Sequence, residues 1–153
     1  MGAIEDRMDE LSLSLPAVPA PVAAYIPAGA SGKLVFTSGQ LPFVDGVLPR
    51  VGKVGAEVDA EEATGLAAIC ALNALAAAAS VIGSLDRVTR VVKLTAYVAS
   101  APDFTGQPAV ANGASALLGD VFGELGRHAR AAVGVAVLPL NSPVEVDLVL
   151  EFA

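Results

Sequence analysis

The sequence predicts an α+β domain: a single mixed sheet with two helices packed on one face. Three observations predict it. β-Branched apolar runs and two long helical patterns follow one another in the order β, β, short β, α, β, α, β, β. A chain of 153 residues has room for one hydrophobic core. Its hydrophobic fraction is 54% and its charged fraction 16%, against about 25% charged in ordinary soluble domains, so the chain folds and carries more apolar surface than a monomer readily hides. Much of that excess is Ala, and self-association is the first expectation.

Ile4, Met8 and Leu11 share one side of a short amphipathic helix over residues 4–13, and the stretch from Pro16 to Pro21 cannot be helical. Residues 1–21 therefore form an arm and residues 22–153 the domain. Val22 to Pro27 reads as extended, and Gly29-Ala30-Ser31-Gly32 as a turn into a strand from Leu34 to Leu41. Asp45-Gly46 is a hairpin turn into Val47 and Leu48. Asp59 with Glu62 three places on is an N-cap signature, so a helix runs over about 60–82 to Gly83, with alanines around more than one face. Arg87 to Ala99 is apolar on both faces and belongs centrally in the sheet. A second helix spans roughly 109–125, with Val110, Ala114, Leu117, Leu118 and Val121 at periods of three and four. Ala131–Leu138 and Val144–Phe152 are closing strands. Their alternate residues are hardly more polar than their apolar ones, so the second face of the sheet is expected to be buried against another subunit.

The composition excludes several functions. Sixteen acidic against nine basic residues give a net charge of −7, with Lys and Arg scattered, which disfavours nucleic acid and anionic lipid as partners. No transmembrane span and no signal peptide are expected, because the first dozen residues are acidic and no long apolar run lacks charge or Gly. One Cys cannot form an internal disulfide, and a cytoplasmic location is the default. His128 and Cys70 are far apart with no CxxC or HExxH, so no metal is expected. Cys70 reads as a small buried hydrophobe and His128 as a solvated turn residue. Gly29 to Lys33 lacks the spacing of a phosphate loop.

What the apolar pattern leaves unexplained is a polar set: Tyr25, Ser38-Gly39-Gln40, Asn112, Arg130 and Glu145. Arg130 and Glu145 stand at strand starts in a charge-poor chain. On pattern alone, a salt bridge between neighbouring edge strands is the plainer account. The functional account is an Arg that binds a carboxylate and a Glu that orients water.

These residues give the chain a resemblance to the RidA/YjgF family of enamine/imine deaminases, some of whose members are also called endoribonuclease L-PSP. It covers roughly residues 22–152. It rests mainly on Phe36-Thr37-Ser38-Gly39-Gln40-Leu41-Pro42 and on the run from Arg130 through Val133 to Leu138-Pro139, followed by Val144-Glu145-Val146. The resemblance implies a fold like that of trimeric chorismate mutase, with clefts between the subunits of a homotrimer. It implies Arg130 and Glu145 as catalytic residues, clamping the substrate carboxylate and positioning water, with Tyr25, Ser38, Gly39, Asn112 and Ala132 lining the cleft. Ala132 stands where many deaminating members carry Cys. The implied reaction, which needs no cofactor, is hydrolysis of a 2-imino acid to a 2-oxo acid and ammonia, and the partners are a small carboxylate-bearing metabolite and the chain itself. The rival is a non-catalytic module that binds a 2-oxo acid. A ribonuclease is opposed by the charge and by the single His.

Overall fold

The computed structural model describes residues 2–21 and 23–153. Its elements are α1 (Ala3–Glu10), β1 (Ala28–Ser31), β2 (Leu34–Thr37), α2 (Ala60–Ile82), β3 (Val88–Ala99), α3 (Gln107–Phe122), β4 (Ala129–Val135) and β5 (Val144–Phe152). The five strands form one sheet in the order β1-β2-β5-β3-β4, antiparallel throughout except for the β3–β4 pair. A parallel pair needs a crossover, and α3 supplies it. The sheet is mixed and both long helices lie on one face, as the sequence predicts.

α2 starts where Asp59 accepts a hydrogen bond from the Glu62 N–H at 2.7 Å, and stops at Gly83, whose φ of 93° favours glycine. Its alanines let it pack on the sheet and on α3 together. The helices meet tightly at Gly113 of α3, where a Cβ would overlap the Thr64 carbonyl of α2. By length and composition alone α2 would pass for a membrane-crossing helix, a feature the sequence reading did not expect. In the fold it is the core helix, with Leu66, Cys70, Ala74 and Leu75 buried. Cys70 is fully buried, and burial first, then the Glu145 charge, pushes its thiol well above the usual range, so it behaves as the small hydrophobe expected.

Several boundaries differ from expectation. Ala28–Ser31 is a strand rather than part of a turn, and the chain reverses at Gly32-Lys33, with Ser31 opposite Leu34 and Gly32 at φ 58°. No strand occupies residues 23–27, and Val22 lies outside the described residues. The Asp45-Gly46 turn forms as expected between Val44 and Val47, both central residues having positive φ. α3 begins two residues early and ends at Phe122, because Gly123 takes φ 57°. β4 ends at Val135.

The arm is docked by its first turns. The Ile4 N–H donates to Asp86 Oδ1 at 2.7 Å, the Ser84 hydroxyl donates to Glu5 at 2.7 Å, and Met8 is buried.

β5 buries Val144, Val146, Leu148 and Leu150 against the helices, and β3 buries Leu94, Ala96 and Val98 beside them. The other face is less uniformly apolar than expected. Phe36, Tyr97, Val133 and Val149 lie there, but so do Glu145, Asp147 and Glu151 of β5, because alternation puts every second β5 residue on that side.

Candidate functional site

The order β5-β3-β4 decides where the two charged candidates go. β3 separates β5 from β4, and the register puts Arg130 beside buried Leu94 but Glu145 beside Tyr97 on the opposite face. An edge salt bridge between them is therefore excluded, and among the described residues neither belongs to an ion pair. One copy of the chain holds two separate groups of site residues.

The first group surrounds Glu145. Phe36 of β2 pairs with Val149, but Gln40 pairs with Val146, so one extra residue is inserted between them. This is a β-bulge at Thr37-Ser38-Gly39, and it is why β2 stops at Thr37 rather than Leu41. The Thr37 hydroxyl fills the broken ladder by accepting the Leu148 N–H at 3.0 Å. Ser38 is pinned by its N–H to the Pro27 carbonyl and by its hydroxyl to the Ile26 carbonyl, at 2.8 and 2.6 Å. The bulge leaves Gly39 under the Glu145 carboxylate, where an added Cβ would overlap a carboxylate oxygen. Tyr25, Ser38, Gly39 and Glu145 line one open cleft of about 560 Å³, together with Pro19 of the arm and Leu140. Burial, and after it the charge of Asp147, raises the Glu145 carboxyl above the ordinary carboxylate range. Asp147 in turn accepts the Tyr97 hydroxyl at 2.9 Å.

The second group surrounds Arg130 at the exposed edge of the sheet. Its Nη1 donates to Asn112 Oδ1 at 2.7 Å and to Ser115 Oγ at 3.2 Å, both on α3. The rest of the guanidinium fork has no protein partner among the described residues, which leaves it free for a planar anion. Ala132 lies two residues along the same strand face, half-buried against the core. No group of three His, Cys, Asp or Glu that could hold a metal occurs among the described residues.

Sequence reasoning missed two members of this group, Ser115 and His128. His128 is not the solvated turn residue expected. It is half-buried, with Nε2 2.9 Å from Ser115 Oγ and Nδ1 2.6 Å from the Gly126 carbonyl oxygen. Periodicity was the available signal: Ser115 follows Asn112 by three on a helix, and His128 precedes Arg130 by two at a strand start.

Residues 5–152 match the YjgF/chorismate mutase-like endoribonuclease family. The chain belongs to that family. Protein TCP17 of Trypanosoma cruzi is 45% identical to this chain, over 98% of this chain and 94% of its own. A solved protein of unknown function from Agrobacterium tumefaciens is 46% identical with a TM-score of 0.91, covering 98% of this chain and 92% of that one. A candidate endoribonuclease from Shewanella oneidensis is 34% identical with a TM-score of 0.93, covering 97% and 99%. The YjgF assignment thus spans the arm as well as the sheet, further than the region from residue 22 on which the sequence resemblance rests.

Proposed function

We propose that the protein hydrolyses reactive 2-imino or enamine acids to 2-oxo acids and ammonia, in clefts formed between copies of the chain arranged as a homotrimer. The observation that carries this reading is the half-open guanidinium of Arg130, braced on one nitrogen and, among the described residues, free on the others and paired with no carboxylate. Such a fork binds a carboxylate bidentately and stays charged at any working pH. Self-association supplies the second half of the site. The Glu145 cleft and the Arg130 edge are both exposed, and apolar Phe36, Val133, Val137 and Leu140 lie uncovered around them. A heterologous contact that closes a ring brings one copy's edge onto the next copy's open sheet face.

In such a cleft, Arg130 of one copy anchors the substrate carboxylate and Glu145 of the next holds a water against the imine carbon. The water oxygen forms the new C–O bond while Glu145 takes its proton. That proton passes to the imine nitrogen to give a carbinolamine; the new hydroxyl then yields its own proton to the nitrogen as the C=O bond forms, and the C–N bond breaks to release ammonia. A carboxylate raised by burial is a better base than an ordinary one, which suits this role. The net charge of −7 supports a small carboxylate substrate over RNA.

The test generates imino acids in place with an amino-acid oxidase and traps them with semicarbazide. Native protein should suppress trapping, and Arg130→Ala should not. Arg130-dependent binding of a 2-oxo acid without any imine turnover would replace the enzyme by a sensing module.

A further inference from the structure

We infer that His128 and Ser115 form a positioning relay that sets the orientation of the Arg130 guanidinium; the inference rests on the carboxylate-clamp reading above. The hydrogen-bond roles follow from which groups can only donate or only accept. The Gly126 carbonyl only accepts, so His128 Nδ1 carries the proton. In neutral imidazole that leaves Nε2 with a lone pair, and the Ser115 hydroxyl donates to it. Arg130 can only donate, so the lone pairs of Ser115 Oγ are turned toward Nη1. One backbone carbonyl thereby fixes a tautomer, the tautomer fixes a hydroxyl rotor, and the rotor presents an acceptor to the guanidinium. Asn112 Oδ1 is the second acceptor on the same nitrogen.

With Nη1 held twice from α3, the fork cannot rotate freely about its long side chain. The ordering that a carboxylate would otherwise impose on binding is already in place. Arg127 and Glu124, paired with each other at 3.2 Å, precede His128 in the chain, and the backbone of Lys93 on β3 pairs with the neighbouring Ala129. None of them is hydrogen-bonded to His128 or Ser115, so the chain from Gly126 to Arg130 is a single line.

The experiment measures pyruvate affinity at pH 8 for native protein, Ser115→Ala, His128→Ala, the double variant and His128→Gln. Both alanine variants should bind pyruvate about five- to tenfold more weakly, because the guanidinium must then be ordered on binding. The double variant should be no worse than either single one, because both break the same chain. His128→Gln, which keeps an acceptor for the Ser115 hydroxyl, should bind close to native. Imidazole nitrogen shifts should report the Nδ1–H tautomer in native protein and in Ser115→Ala alike, because the Gly126 carbonyl holds it in both. Pyruvate affinity within twofold of native in both alanine variants overturns the relay. So does a His128→Gln loss equal to that of His128→Ala. Native protein that shows no Arg130-dependent pyruvate binding overturns the carboxylate reading and the relay together, a result distinct from failure of the relay alone.

Discussion

Gly39→Ala isolates the role of the β2 bulge. The added methyl would overlap one Glu145 carboxylate oxygen and sit 2.8 Å from Cδ and 3.1 Å from Cγ, so the carboxylate must retreat by about 1 Å to reach van der Waals distance. Gly39 has no positive φ, so alanine fits the backbone, and the obstacle is the end of a flexible side chain. The cost to stability should be small, about 1 kcal/mol or less. The cost to turnover should not. A misplacement of about 1 Å in a positioned group costs on the order of a hundredfold, close to 2.7 kcal/mol of transition-state stabilisation. The assay pairs thermal melting with steady-state imine hydrolysis, and the loss should fall on kcat while pyruvate affinity, governed by Arg130, stays near native. Turnover within threefold of native at unchanged melting temperature would refute the idea that the bulge aims Glu145.

Arg130→Lys should lose about two orders of magnitude in kcat/KM, because an ammonium cannot reproduce the fork held by Asn112 and Ser115 while binding a carboxylate bidentately; steady-state kinetics on an imino-acid panel checks it. Glu145→Gln should abolish turnover yet raise the melting temperature at neutral pH. The folded-state pKa of Glu145 is raised, so its ionised form opposes folding above the ordinary Glu pKa, and the gain from Gln should vanish as pH falls below that value; melting curves from pH 3.5 to 8 read it. Gly113→Ala should destabilise by about 1–3 kcal/mol, since the obstacle there is the Thr64 backbone carbonyl, which cannot swing aside; denaturant unfolding measures this.

The fold was legible where periodicity and caps agree. Asp59 with Glu62 and Gly83 bound α2 at the residues observed, and the apolar alternation of Val144 to Phe152 matches β5 end to end. The early termination of β2 was not legible, because the bulge depends on pairing with β5, a partner more than a hundred residues away. The alternation along β5 puts Glu145 and Asp147 on the open face, a polar stripe that the run of valines and leucines disguised. The site residues stood out as polar exceptions in a charge-poor chain, but their grouping did not. Whether Arg130 and Glu145 pair depends on strand order and register: β3 lies between β4 and β5, and the register turns the two side chains to opposite faces. From sequence His128 reads as a solvated turn residue, because its partner Ser115 comes from another element.

The central claim, that one copy supplies Arg130 and another Glu145, is tested most directly by mixing two dead variants. Arg130→Ala and Glu145→Ala are denatured together in equal amounts, refolded and assayed for imine hydrolysis. In a randomly mixed ring each cleft draws its Arg and its Glu from different copies, so the account predicts recovery of about one quarter of native turnover per cleft. Turnover no higher than that of the two variants refolded separately, with mixed oligomers shown to be present, would contradict it.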